Sequence, residues 1–123
     1  MALRRRAVLF GPGAVLAGWA LAQPTAGETV HHLAITDGVV QPGQRVIRAR
    51  KGDRLRWRIT SDAPGELHLH ALRLAVAVQT GRVAELAFTA FATGRFRATW
   101  HATGAADTER HDAALVVLEV QPR

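Results

Sequence analysis

From about residue 28 onward, apolar and polar residues alternate with a period of two. In the stretch DRLRWRIT, Leu55, Trp57 and Ile59 fall on one side, and Arg54, Arg56, Arg58 and Thr60 on the other. Successive strand residues point to opposite faces, so this is a strand with one face buried. GRFRATWH repeats the pattern, with Phe96, Ala98 and Trp100 inward and Arg95, Arg97, Thr99 and His101 outward. In GRVAELAFTA the phase slips between Val83 and Leu86 before Phe88 returns, which predicts a bulge or a two-sided strand. AALVVLEV is rich in β-branched residues and suits a buried strand. Turn chemistry divides these runs at Asp37-Gly38, Gln41-Pro42-Gly43, Lys51-Gly52-Asp53, Asp62-Ala63-Pro64-Gly65, Thr80-Gly81 and Thr93-Gly94. No helical stripe occurs among them. Seven or eight short strands with even punctuation predict an all-β, Greek-key antiparallel β-sandwich.

The first 22 residues follow another pattern. Arg4, Arg5 and Arg6 precede an uncharged apolar run from Ala7 to Leu21, and Ala20-Leu21-Ala22 has the small-x-small form of a cleavage site. The reading is a signal peptide over residues 1–22, followed by one domain over residues 23–123. A membrane anchor is the competing reading. The run falls short of the ~20 residues that span a bilayer, and Gly11-Pro12-Gly13 interrupts it. The arginines followed by Ala7, Val8 and Leu9 resemble a twin-arginine signal, so the export route stays open between that and Sec.

Export changes how the charge is read. The whole chain carries +6, but without the three leader arginines 13 basic residues face 10 acidic ones, a net charge of about +3. That balance does not suit nucleic-acid binding. The chain has no cysteine, so a periplasmic or secreted domain of this size must be held by its core alone, and thiolate chemistry is excluded. Its only methionine is Met1. No nucleophile elbow, phosphate-binding glycine loop or helical His-Glu-x-x-His is present, and no small-molecule substrate suggests itself. A monomeric non-enzyme is expected.

The order of elements resembles the cupredoxins over residues 28–120. The points of resemblance are VIRARKGDRLRWRITSD, a strand, Lys-Gly-Asp turn and strand; ELHLHAL, a histidine-bearing strand; VQTGRVAELAFTAFATGRF, which leads into the copper loop; and the closing ALVVLEV. The His-Leu-His stretch and the histidine after the Gly-Arg-Phe strand further resemble a bacterial periplasmic subgroup. That subgroup continues with Gly-Tyr-Asp, where this chain has Ala71-Leu72-Arg73. The resemblance implies a blue-copper thiolate at the position of Trp100, a second histidine at His101 and an axial methionine where His111 stands. A type-1 site needs that thiolate. With no cysteine, the chain is not a blue-copper electron carrier.

The candidate metal ligands are His68, His70, His101 and His111. His68 and His70 lie two apart and would share one strand face, at the loop end of the sandwich with the other two. Imidazoles without sulfur suit Cu(II), and Zn(II) in second place. The competing reading makes them ordinary polar residues or relics of an older site with no metal. If Leu67 and Leu69 face the core, both histidines face water. Glu66, Asp107, Glu109 and Asp112 are candidate supporting carboxylates. His31 and His32, as neighbours, point to opposite faces and are expected to be exposed near the end of the first strand. The row Arg54, Arg56, Arg58, with Arg48, Arg50, Lys51, Arg95 and Arg97 as possible neighbours, reads either as a solvated sheet face or as a docking face for an acidic or membrane partner, including a periplasmic protein.

Overall fold

The computed structural model describes residues 27–104 and 113–123. The leader, its cleavage site, His111, Asp107, Glu109 and Asp112 lie outside the described residues. Eight strands follow in order: β1 (Glu28–Ile35), β2 (Val46–Arg50), β3 (Arg54–Ser61), β4 (Gly65–Leu69), β5 (Leu74–Val78), β6 (Ala84–Thr89), β7 (Gly94–Ala102) and β8 (Val116–Gln121). They form a three-stranded sheet, β1-β3-β6, and a five-stranded sheet, β2-β8-β7-β4-β5. The sandwich is the one the alternation predicts, with mixed pairing. β1 runs parallel to β3 and β2 parallel to β8, while the other pairs are antiparallel. Periodicity reports which face a residue takes and carries no information about the direction of its neighbour.

The core lies between the sheets. Leu33, Ile35, Leu55, Trp57, Ile59 and Leu86 come from the smaller sheet, and Ile47, Leu67, Leu69, Val78, Ala98, Val116, Leu118 and Val120 from the larger. Trp57 is fully buried and meets Phe88 edge-on at 5.1 Å between ring centroids. β6 has no bulge. Its register against β3 is unbroken from Arg54↔Thr89 to Ile59↔Ala84, and Leu86 and Phe88 share its inner face. Val83 broke the predicted phase because it lies before the strand, 50% exposed. Asp37 and Gly38 both adopt positive φ, and Thr36 and Val39 exchange two backbone hydrogen bonds across them. This is the tight two-residue turn for which Asp-Gly is suited.

The expected exposure of both first-strand histidines holds only for His32. His31 pairs in register with Trp57 and takes the inner phase of β1, half-buried, with Nε2 buried and unpartnered. Burial, and secondarily the charge of His32, lower its pKa below the ordinary 6.5. The unfolded chain then takes up a proton before the folded one. The sign follows: this group contributes nothing to the pH dependence well above 6.5, and stability falls as pH drops through that value towards the folded pKa. The urea midpoint is expected to be lower at about pH 5.5 than at about pH 7.5, and the difference to shrink in His31→Leu. An equal difference in both proteins would assign the effect to other groups.

Candidate metal centre

β4 and β7 build the candidate site. Leu67 and Leu69 are fully buried, which fixes the phase: His68 and Glu66 point out of the five-stranded sheet, away from the core. In register, His68 lies opposite Thr99 and Glu66 opposite His101, so β7 presents Thr99 and His101 on the same outer face. β4 ends at Leu69, and His70 opens a single 3-10 turn closed by Arg73 at a left-handed φ of 51°. His70 is therefore not the strand neighbour that the His-Leu-His spacing predicts. Its ring still returns to the sheet, with Nε2 2.7 Å from Thr99 Oγ1.

Three imidazoles gather over one threonine. Thr99 Oγ1 also lies 3.2 Å from His101 Nε2. The ring centroid of His68 is 4.9 Å from that of His101 and 5.9 Å from that of His70. Thr99 faces outward yet is only 5% exposed, because the rings cover it. A hydroxyl has one proton and two lone pairs, so in the neutral cluster it can donate to one ring nitrogen and accept from the other. Glu66 pairs with Nε2 of His68. A carboxylate only accepts, which puts the ring proton on Nε2 and leaves Nδ1 of the neutral ring as the free donor atom.

The donor chemistry fits a borderline cation, with imidazole nitrogens and one carboxylate close by. The rings as placed do not converge on one point: among the described residues, no three His, Cys, Asp or Glu side chains are arranged to hold a metal ion. Nε2 of His70 and Nε2 of His101 are occupied by the Thr99 hydroxyl, and ligation through those two atoms requires them to let it go. The cluster also lies outside the sheet rather than in the loop end between the sheets. Trp100, at the position the resemblance gives to the thiolate, faces the opposite way and packs against the core. Its ring lies against Gly65 and near Gly38, so indole occupies the interior there.

The basic row is divided by the fold. Arg54, Arg56 and Arg58 line the outer face of the small sheet, whereas Arg48, Arg50, Arg95 and Arg97 belong to the five-stranded sheet. Arg56 Nε donates to Glu28 Oε1 and its Nη1 to Glu85 Oε2, both at 2.6 Å. These bonds, Glu28 first, raise the pKa of Arg56 further above its ordinary value. Arg58 Nε lies 3.3 Å from Glu85 Oε1. Glu28 and Glu85 come from β1 and β6, either side of β3, and alternation within β3 alone could not reveal them.

No family model matches the sequence, and no curated protein matches it. Solved structures do match. A heme-copper terminal oxidase dimer aligns over 80% of this chain and 71% of its own, at 17% identity and a TM-score of 0.61. A copper binding protein in its apo form aligns over 80% and 93%, at 13% identity and 0.59. The periplasmic domain of cytochrome oxidase subunit II of Bradyrhizobium japonicum aligns over 76% and 83%, at 16% identity and 0.57. At these identities the likeness defines the fold, and the fold is that of the cupredoxins. Within it, this chain packs Trp100 against the core and carries histidines outside the sheet.

Proposed function

We propose that this is an exported, periplasmic member of the His-Leu-His subgroup that binds and handles Cu(II) through His68, His70 and His101, with His111 as a fourth donor. The gathering of three imidazoles over Thr99 carries this reading. Cu(II) binds nitrogen sites more strongly than other divalent first-row ions, and Zn(II) is the second choice. Glu66 orients His68 and supplies a negative charge beside the cation. The metal supplies a binding equilibrium and no tuned thiolate redox couple, so the protein is a carrier or accessory and not an enzyme. The apo copper binding protein and the periplasmic oxidase domain among the structural neighbours support copper and periplasm as the setting. The alternative, a metal-free module docking through Arg54, Arg56 and Arg58, has less support because Glu28 and Glu85 neutralise much of that face.

The test is a Cu(II) titration of the chain from Gln23 by calorimetry and electron paramagnetic resonance. One-to-one binding with a Kd below about 1 µM, with nitrogen hyperfine structure, is expected. Binding only in the millimolar range would leave the histidines as polar surface groups.

A further inference from the structure

One end of the sandwich is closed by three segments: the Lys51-Gly52-Asp53 turn, residues 90–93 between β6 and β7, and residues 122–123 after β8. They are tied together. Gly52 N–H donates to the Ala90 carbonyl at 2.7 Å, Ala90 N–H to that of Asp53 at 2.9 Å, and Lys51 N–H to that of Gln121 at 2.8 Å. Arg123 Nε donates to the Lys51 carbonyl at 3.1 Å. Phe91 projects from this tip, 70% exposed, more than any other large hydrophobic residue among those described.

Cations share that tip, at the end of β2, in the turn and at the start of β3. Arg50, Lys51 and Arg54 are exposed, and none forms an ion pair among the described residues, in contrast to Arg56 and Arg58. The acid of the turn is already engaged: the Asp53 carboxylate accepts the Arg50 N–H at 2.9 Å and pairs with Arg123. The backbone bond, ahead of Arg123, lowers its pKa, so it stays ionised and bound to these partners. A tip that offers an exposed aromatic ring together with exposed cations matches the interface of an anionic bilayer. Aromatic rings settle at headgroup level, and cations are attracted to lipid phosphates.

We propose that this tip docks the protein on an anionic lipid surface, with Phe91 at headgroup depth and Arg50, Lys51 and Arg54 against the phosphates. β7 leaves the tip at Gly94 and reaches His101 at the other end of the strand, about 23 Å away at ~3.3 Å per residue. Docking by the tip therefore holds the histidine face clear of the bilayer and open to a partner.

The experiment uses the chain from Gln23, which keeps all eight strands and the core and lacks the apolar leader that would enter lipid by itself. Cosedimentation with phosphatidylglycerol–phosphatidylcholine vesicles is expected at about 50 mM salt, with partitioning at least tenfold weaker at about 300 mM and none with phosphatidylcholine alone. Lys51→Glu with Arg54→Glu should reduce binding tenfold or more, and Phe91→Ser several-fold, with unchanged circular dichroism. Because the chain has no cysteine, a polarity-sensitive dye can be placed at Phe91→Cys, where it should shift to the blue on vesicles. The same dye at Gln79→Cys, at the opposite end, should not. Binding without preference for the anionic lipid, equal shifts at both positions, or capture of an acidic protein but not vesicles would each overturn the proposal. Replacing His68 and His101 should leave vesicle binding unchanged, so the copper reading and the lipid reading can fail separately.

Discussion

Replacing Gly65 with alanine should destabilise the protein by about 3 kcal/mol, at the upper end of the range for overpacking. Gly65 opens β4, and its φ is not in the left-handed region, so the reason is space rather than backbone freedom. A Cβ there would lie 2.7 Å from the His101 carbonyl oxygen and would run into the Trp100 ring. The carbonyl belongs to the backbone of β7 and cannot swing aside, and the indole is packed against the core. The two strands would have to separate where Glu66 faces His101, so copper affinity should fall with stability. Gly43→Ala is the control. Nothing lies within 4 Å of its added Cβ, and the change expected there is within about 0.5 kcal/mol. Urea midpoints decide the matter, and an unshifted Gly65→Ala would mean that β4 and β7 are not held as closely as described.

The second large effect is on the metal. His68→Ala with His101→Ala should weaken Cu(II) binding at least 100-fold, about 2.7 kcal/mol, while the thermal midpoint moves little. Both rings lie on the outer face and leave no cavity in the core. Thr99→Val should act in the opposite direction. It keeps the shape of the side chain and deletes the hydroxyl that holds Nε2 of His70 and of His101, so copper bound through those two atoms no longer competes with it and should bind several-fold more tightly. Calorimetry on the three proteins reads both signs. Equal affinity in all of them would remove the histidine face from the argument.

How far each feature was legible depended on how local its cause was. β3 was legible because its alternation is strict, with Leu55, Trp57 and Ile59 all buried. β6 was legible as a strand but not as a regular one, because Val83 looks like part of a strand that it only precedes. His68 and His101 were named from spacing and resemblance, and β4 and β7 bring them together. Thr99 was missed, since an outward threonine gives no signal until two rings are seen to close on it. His70 was expected for the wrong reason, because the end of β4 at Leu69 depends on the turn that Arg73 closes. The burial of His31 and the neutralising of Arg56 both come from strands paired across 26 residues or more, which a reading along the chain does not connect.

The last strand sits in the middle of its sheet, not at the edge. β8 lies between β2 and β7, so until it arrives β2 has no neighbour and β7 has one bare side. The five-stranded sheet is thus assembled from both directions of the sequence at once. A chain truncated before Val116 would retain His68, His70 and His101 yet lose Val116, Leu118 and Val120 from the core beneath them and leave β2 without a neighbour. Such a fragment is expected to be an unfolded target for proteolysis, and fully synthesised molecules alone would present the histidine face.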